Sequence, residues 1–395
     1  MNEYPYVPGR GVVKESTTQE RVDFLEQAGF EVDHISKSEI PTDSLANNIE
    51  SHIGSVEIPV GLAGPLLFKS GSEIPDYRYA PIATLEGALL ASVNRGAKVI
   101  SKCGGITSKV LHQRMVRCPL FLFDSLAESI TFSEWLENHF ELIKEQADAH
   151  SNYGKLVKIE PQVSGKNVHA RFFFETGDAA GQNMTTSSTH KTIMWIYDYY
   201  TKVAGLPMKK VFIEGNGSSD KKVSQYNISN GRGSHVIAEC ELLEEEIKKL
   251  LHTTSDELVA RFNTSATISR LNGMVGHNMN VANVIAGVFA ATGQDLACIH
   301  ESSTGILTVE KTDKGLYLCL HLPNLVVGTV GGGTHLKAQQ EALGLMGCKG
   351  KGTAKRFAEM IAGFAMALEI STSAAIVAGH FTAAHEKLGR NRPVS

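Results

Sequence analysis

The sequence predicts an α+β fold of two or three domains, and three observations predict it. The chain has 395 residues, more than one ordinary hydrophobic core organises. Hydrophobic residues make up 42% and charged residues 20%, the balance of a globular protein. Between about 118 and 210, strand-like runs alternate with helical ones, with no internal repeat and no low-complexity tract anywhere.

The elements follow in order. Thr17-Thr18-Gln19-Glu20 has the spacing of a capping box, and Val22, Leu25 and Ala28 continue at helical period up to Gly29. Residues 1–49 therefore read as a small helical lead-in. Ile58-Pro59-Val60-Gly61 reads as a strand entering the glycine-rich turn "GLAGPL". A helix is predicted from Thr84 to about Ile100. Leu156–Ile159 and Val168–Phe174 are strand-like, and Thr186–Val203 is helical. Val211-Phe212-Ile213 is a strand that runs into "GNGSSDKK", residues 215–222. The segment 241–270 reads as a helix charged on one side, and 278–294 as an apolar helix. Strands near 306–310 and 316–322 lead to "VGTVGGGT", and 354–388 is a long alanine-rich helical region broken near Gly379.

Composition excludes several functions. A net charge of −4 gives no bulk attraction to nucleic acid or to an anionic membrane. Six scattered cysteines without a CxxC pair argue against a disulfide framework and a zinc site. The N-terminus has no apolar signal core, and the longest uncharged stretch, near 277–294, holds three asparagines and is a poor membrane span. A cytoplasmic enzyme or binding protein is expected.

Several residues carry possible chemistry, each beside a plainer reading. "GNGSSDKK" brings Asp220, Lys221 and Lys222 to one place on a flexible loop, as a surface turn or to aim an ammonium at a substrate oxygen. "GDAAGQNMTT", 177–186, sits between a strand and a helix, where backbone N–H groups can reach an anion, although it is equally an ordinary turn. A GxGxxG after a strand is missing, so no Rossmann fingerprint exists. Glu86 stands among small and apolar neighbours in a first helical turn. Ser92, Arg95 and Lys98 follow at i+3 steps, as a solvated face or a site for a phosphorylated ligand. Asp295 closes the apolar helix as a turn residue or a functional acid. His380 and His385 near the terminus read as surface residues without further context.

Taken together, these segments resemble the soluble catalytic portion of the 3-hydroxy-3-methylglutaryl-coenzyme A reductase family. The resemblance runs in register from about residue 49 to 392. It rests on "IGSVEIPVGLAGPL" (53–66), "TLEGALLASVNRGAK" (84–98), "GGITSKVLHQRMVRCP" (104–119), "TGDAAGQNM" (176–184), "GNGSSDKK" (215–222), "NVANVIAGVFAATGQD" (280–295), "GTVGGGT" (328–334) and "AGHFTAAH" (378–385). The separate Asp220-Lys221-Lys222 loop resembles the family's class I branch.

The resemblance implies a large α/β coenzyme A and substrate domain (50–117 and 211–379), a ferredoxin-like dinucleotide domain inserted at 118–210, and a C-terminal flap from 380 to 395. It implies two hydride transfers from NADPH, with NADH as the alternative, through a hemithioacetal and an aldehyde. Lys221 would be the cation that meets the carbonyl oxygen, and Glu86 would protonate it. Asp295 would raise the pKa of Glu86 while Lys221 opposes that rise. His385 would protonate the departing coenzyme A thiolate. Arg117 would clamp the substrate's free carboxylate, with Asn216, Asp220, Lys222 and Asn283 completing the pocket. Ser92, Asn94, Arg95 and Lys98 would face coenzyme A. Ser151 and Asn152, with the loop Asp178, Ala179, Ala180, Gly181, Gln182, Asn183 and Met184, would hold the dinucleotide. No metal, nucleic acid or membrane anchor is implied, and the family's active site at a dimer interface implies a homodimer or larger homo-oligomer.

Some positions depart from the family. Asn152 stands where class I members carry an arginine for the 2′-phosphate, and "AAGQNM" replaces a methionine-rich loop. Asn280 replaces a histidine, and Arg390-Asn391-Arg392 occupies the stretch of a regulatory serine. The alternatives are a paralogous reductase of another carboxylated acyl-coenzyme A, a non-catalytic coenzyme A-binding homologue, and a cysteine acyltransferase using Cys298 and His300.

Overall fold

A computed structural model describes residues 6–69 and 76–381. Ten strands are present among them: β1 (Val60–Phe68), β2 (Asp76–Ala83), β3 (Thr107–Arg117), β4 (Leu120–Leu122), β5 (Lys155–Ser164), β6 (Asn167–Glu175), β7 (Lys210–Phe212), β8 (Gly233–Leu243), β9 (Ile306–Lys311) and β10 (Gly315–Leu325). β1 and β2 form an antiparallel hairpin. The other eight form one antiparallel sheet in the order β7-β4-β6-β3-β8-β10-β9, with β5 added alongside β6. β3 carries this sheet between two cores. Its residues Thr107–Arg114 pair with β8, whereas Met115–Arg117 pair with β6.

The elements from β4 to β7 follow one another as strand, helices, two strands, helix and strand. In space these strands lie β7-β4-β6-β5, a 4-1-3-2 order that is ferredoxin-like. Their core is aromatic: Phe121, Phe132, Trp135, Phe172, Phe174 and Tyr200 pack with Ile193 and Ile196 of the helix Gln182–Asp198.

The larger core surrounds the helix Ala354–Val377, in which eighteen residues are buried. By length and composition this helix could cross a membrane, yet 83% of its most apolar window is buried inside the protein. It packs on the helices Leu89–Lys102 and Val281–Thr292 and on β3 and β8. The approach to Leu89–Lys102 is close because Gly96 faces the Ala367 carbonyl. A Cβ there would lie 1.8 Å from that oxygen. Residues 6–49 lie against this body. The buried Arg21 donates to the carbonyls of Gly9 and His52 at 2.9 and 2.8 Å, and His335 contacts the Ser44 carbonyl oxygen at 2.9 Å.

Several boundaries differ from the sequence expectation. The first helix runs Glu15–Gln27, so Thr17 is not its cap. It is the third helical residue, and its Oγ1 accepts from the Lys14 backbone N–H at 3.3 Å. The helix expected from Thr84 starts at Leu89, because Ala88 is held at φ 70° and the preceding residues form a loop. Glu86 is therefore an exposed loop residue, not one in a first helical turn. The stretch expected as one helix over 241–270 is divided. Residues to Leu243 belong to β8, and the helix is Ser255–Leu271, capped by the Thr254 hydroxyl and Glu257. Pairing of β8 with both β3 and β10 overrides local propensity there. The C-terminal helix ends at Val377, and Gly379 at φ 72° breaks it as expected.

Candidate active site

The loop after β7 is built with unusual backbone. Asn216, Ser219 and Lys221 all lie in the left-handed region, at φ 64°, 51° and 57°. Each costs about 1–2 kcal/mol for a residue with a Cβ, so the surroundings must hold the loop in place. They do so from several sides. Arg171 donates to the Gly217 carbonyl at 3.1 Å, the buried Asn227 donates to the Ser218 carbonyl at 3.1 Å, and Ser218 donates to Glu214 at 3.0 Å.

Lys221 reaches Asp295, with Nζ 3.0 Å from Oδ2. Asp295 follows the helix Val281–Thr292 and accepts the Ala297 backbone N–H at 3.1 Å. Its second partner is Gln182, whose amide donates at 3.0 Å. Burial pushes the Asp295 carboxyl up, but hydrogen bonds from Lys221 and Gln182 and the ammonium charge pull it further down, to a net value below the usual one. The same hydrogen bond raises Lys221, against a smaller lowering by burial. The pair is thus a stable ammonium–carboxylate couple at neutral pH.

Glu86 forms a second couple with Asn283, which donates to it at 2.6 Å. Asn283 lies in the first turn of the helix that ends before Asp295, so one helix places both groups. The start of that helix is fixed by the buried Glu369, which accepts the backbone N–H groups of Met279 and Asn280, each at 2.7 Å.

Arg117 is buried at the end of β3, where the sheet crosses between the two cores. It donates to Thr186 at 2.7 Å, to the Gln182 carbonyl at 2.9 Å and to Asp220 at 3.2 Å. Asp220 bridges Arg117 and a second guanidinium, Arg232. Lys222 is exposed and donates to the Asp220 carbonyl at 3.0 Å. Asn216 accepts from Ser219 through its backbone carbonyl at 3.3 Å. Two residues that sequence reasoning missed complete the cluster: the fully buried Arg232 and Glu301, which are ion-paired. Arg232 is the one formal charge between Lys222 and Glu239, which is the signal that could have flagged it.

A cavity of about 320 Å³ lies between the helices Leu89–Lys102 and Ala354–Val377, with Glu86 at its edge and Ser92, Arg95, Asn280, Thr372 and His380 in its wall. Ser92 and Arg95 also bond the long helix, through Ser371 at 2.9 Å each. Of the stripe read from the sequence, Asn94 instead turns to β1, accepting the Gly64 N–H at 2.7 Å, and Lys98 is exposed.

The dinucleotide candidates divide similarly. Ser151 accepts the N–H groups of Tyr153 and Gly154 at 3.2 and 2.8 Å, and Asn152 is exposed. A Cβ on Gly154 would sit 3.3 Å from the Met184 methyl, so this turn meets the loop 178–184. Asp178 is not free for a ligand. Its carboxylate accepts the backbone N–H groups of Gly352 and Ala354, at 2.7 and 3.1 Å, at the start of the long helix. Ala179 bridges to Val330, joining this loop to "GTVGGGT". Gly181, at φ 83°, caps the helix Gln182–Asp198; Ala180 and Gln182 are half-buried, and Asn183 is exposed. Gln182 serves the Lys221–Asp295 pair rather than the loop alone. His385 lies outside the described residues.

Cys298 is buried, and burial pushes its thiol well above the usual range. His300 is exposed. An acyltransferase nucleophile needs a lowered thiol pKa, so this geometry does not favour that alternative.

The hydroxymethylglutaryl-coenzyme A reductase family model matches residues 17–390. The 3-hydroxy-3-methylglutaryl-coenzyme A reductase of Methanocaldococcus jannaschii is 41% identical over 391 residues, covering 98% of this chain and 96% of its own. That of the plant Camptotheca acuminata is 36% identical, over 92% of this chain and 60% of its own. Among solved structures, the class II reductase of Streptococcus pneumoniae bound to NADPH superposes with a TM-score of 0.65 at 17% identity, covering 91% of this chain and 97% of that one. At that identity the likeness is one of fold. The chain belongs to the hydroxymethylglutaryl-coenzyme A reductase family.

Proposed function

We propose that the chain reduces (S)-3-hydroxy-3-methylglutaryl-coenzyme A to mevalonate and free coenzyme A, using two equivalents of a reduced nicotinamide. The observation that carries the reading is the Lys221–Asp295 pair at 3.0 Å, set on a strained loop beside the buried Arg117. The nicotinamide supplies hydride. Negative charge then grows on the carbonyl oxygen, and an ammonium held in place before the reaction stabilises it. Lys221 is that ammonium, and Asp295 keeps it protonated and aimed. Glu86, oriented by Asn283, supplies the proton to the oxygen. Arg117 takes the substrate's free carboxylate, displacing part of its bond to Asp220. Ser92 and Arg95 line the cavity that receives the pantetheine arm, and His385 protonates the thiolate.

The residues present are suited to a dinucleotide. The turn at Ser151–Gly154 meets the loop 178–184, and the helix beginning at Gln182 is seventeen residues long, so free N–H groups there favour an anion. Asn152 cannot pair with a 2′-phosphate as a guanidinium would. We assign NADPH as the preferred cofactor, with weaker discrimination against NADH than an arginine would give. The arrangement of Asp220-Lys221-Lys222 on its own loop supports a class I enzyme. Residues 118–210 act as the dinucleotide unit, and a homodimer completes the site. Absorbance at the nicotinamide band, followed with the thioester and either cofactor, tests the reading. Oxidation of about two equivalents per thioester supports it, and no oxidation with either cofactor sinks it.

A further inference from the structure

Two buried charges take part in no step above. Arg232 precedes β8, and Glu301 lies in the short helix Ile299–Ser302. Both side chains are fully buried and paired with each other. A buried ion pair is a poor way to gain stability, since a well-packed apolar pair does as well or better. This one is also imperfectly satisfied: Arg232 Nε and Glu301 Oε2 lack hydrogen-bond partners. The pair's other side-chain hydrogen bonds lead to the candidate site. Glu301 Oε1 accepts the backbone N–H of Lys221 at 3.2 Å. Arg232 donates to Asp220 and, at 3.3 Å, to the Gln182 amide oxygen. The Gln182 amide nitrogen in turn donates to Asp295, which pairs with Lys221 Nζ.

These contacts close a ring. It leaves the Lys221 backbone, passes through Glu301, Arg232, Gln182 and Asp295, and returns to the Lys221 side chain. Both ends of one lysine are held by one circuit, and that lysine sits at φ 57°, a conformation it would not keep unsupported. We infer that Arg232 and Glu301 are positioning residues for the reduction: the pair fixes the Lys221 backbone and, through Gln182, the carboxylate that aims its ammonium. Neither touches substrate. The inference rests on the assignment of Lys221 as the oxyanion cation.

The test compares Glu301→Gln, Arg232→Lys and the apolar double variant Arg232→Met/Glu301→Leu with Lys221→Ala. The measurements are kcat, KM for the thioester, the pH profile and the melting temperature. A small displacement of a catalytic group costs about a hundredfold in rate. The double variant is therefore expected to fold and lose about that factor in kcat, with KM changed far less. In Arg232→Lys, which cannot span three partners, Gln182 is released. The acid limb of kcat is then expected to move to higher pH, because Asp295 loses a hydrogen bond that holds its pKa down. If Lys221→Ala is inactive while the folded variants keep the wild-type kcat and pH profile, the inference is overturned and the Lys221 assignment stands. If Lys221→Ala is itself active, it is the assignment that fails. If neither Glu301→Gln nor the double variant folds, the pair serves the fold alone and the inference is also overturned.

Discussion

Lys221 is the residue on which the reading turns. Its ammonium is paired with Asp295 and its backbone is held in a left-handed conformation, so removing the side chain leaves the loop but not the charge. Lys221→Ala is expected to lower turnover by about a hundredfold or more, and steady-state kinetics with the thioester checks this. The hydrogen bond from Asp295 raises the pKa of Lys221. In Asp295→Asn that support is lost while burial still favours the neutral amine. The alkaline limb of activity should therefore move to lower pH, and an unmoved limb would separate the two residues functionally. In the proposed function His385 acts only in the step that expels a thiolate. His385→Gln should cripple reduction of the thioester and largely spare reduction of free mevaldehyde; equal loss in the two assays would refute the role.

At the scale of elements, the crossing of Leu89–Lys102 on Ala354–Val377 positions the cavity wall. It depends on Gly96, where a Cβ would overlap the Ala367 carbonyl oxygen at 1.8 Å. Backbone cannot yield as a flexible side chain does. Gly96→Val should destabilise by about 1–3 kcal/mol or more, read as a lowered melting temperature, and it should weaken thioester binding because Ser92 and Arg95 lie on the same helix. Legibility at this scale was uneven. The helix Val281–Thr292 and strands β5, β6, β9 and β10 were readable because their apolar periods are local. The start of Leu89–Lys102 was not, because a left-handed Ala88 has no composition signal. β8 was read as part of a helix because its pairing with β3 and β10 is invisible to periodicity.

For the whole molecule, the eight-stranded sheet also gathers three histidines outside the site. His235 on β8 lies beside His112 on β3 and His321 on β10, with ring centroids 5.2 and 5.9 Å away. Burial, and then the neighbouring imidazoles, lower the pKa of His235 to about 4. A histidine whose folded pKa is below its unfolded value binds fewer protons when folded. Its destabilising effect is absent at neutral pH, begins as pH falls through the unfolded pKa near 6.5 and is complete below the folded value. Chemical denaturation midpoints should therefore fall between pH 6.5 and 4. His235→Asn should flatten that dependence, and an identical slope in the variant would remove His235 from the account.

The sequence alone determined which residue types are available for chemistry and their order: a glutamate among small and apolar neighbours, a lysine on a small-residue loop, an aspartate closing an apolar helix, and eight family segments in register. Those are local or linear properties. Alternating strands and helices over 118–210 are also written along the chain, whereas the ferredoxin-like arrangement was implied only by the family resemblance, because strand order depends on pairing between distant segments. Only the tertiary structure decided which partners meet. Glu86 and Asn283, 197 positions apart, share a hydrogen bond, and Asp178 caps the long helix 176 residues onward. Gln182, read as part of a dinucleotide loop, turns out to hold Asp295. The Arg232–Glu301 pair stayed hidden for the same reason. An isolated buried charge gains meaning from its neighbours, and those neighbours are chosen by sheet pairing and helix packing over long separations, not by the residues beside it.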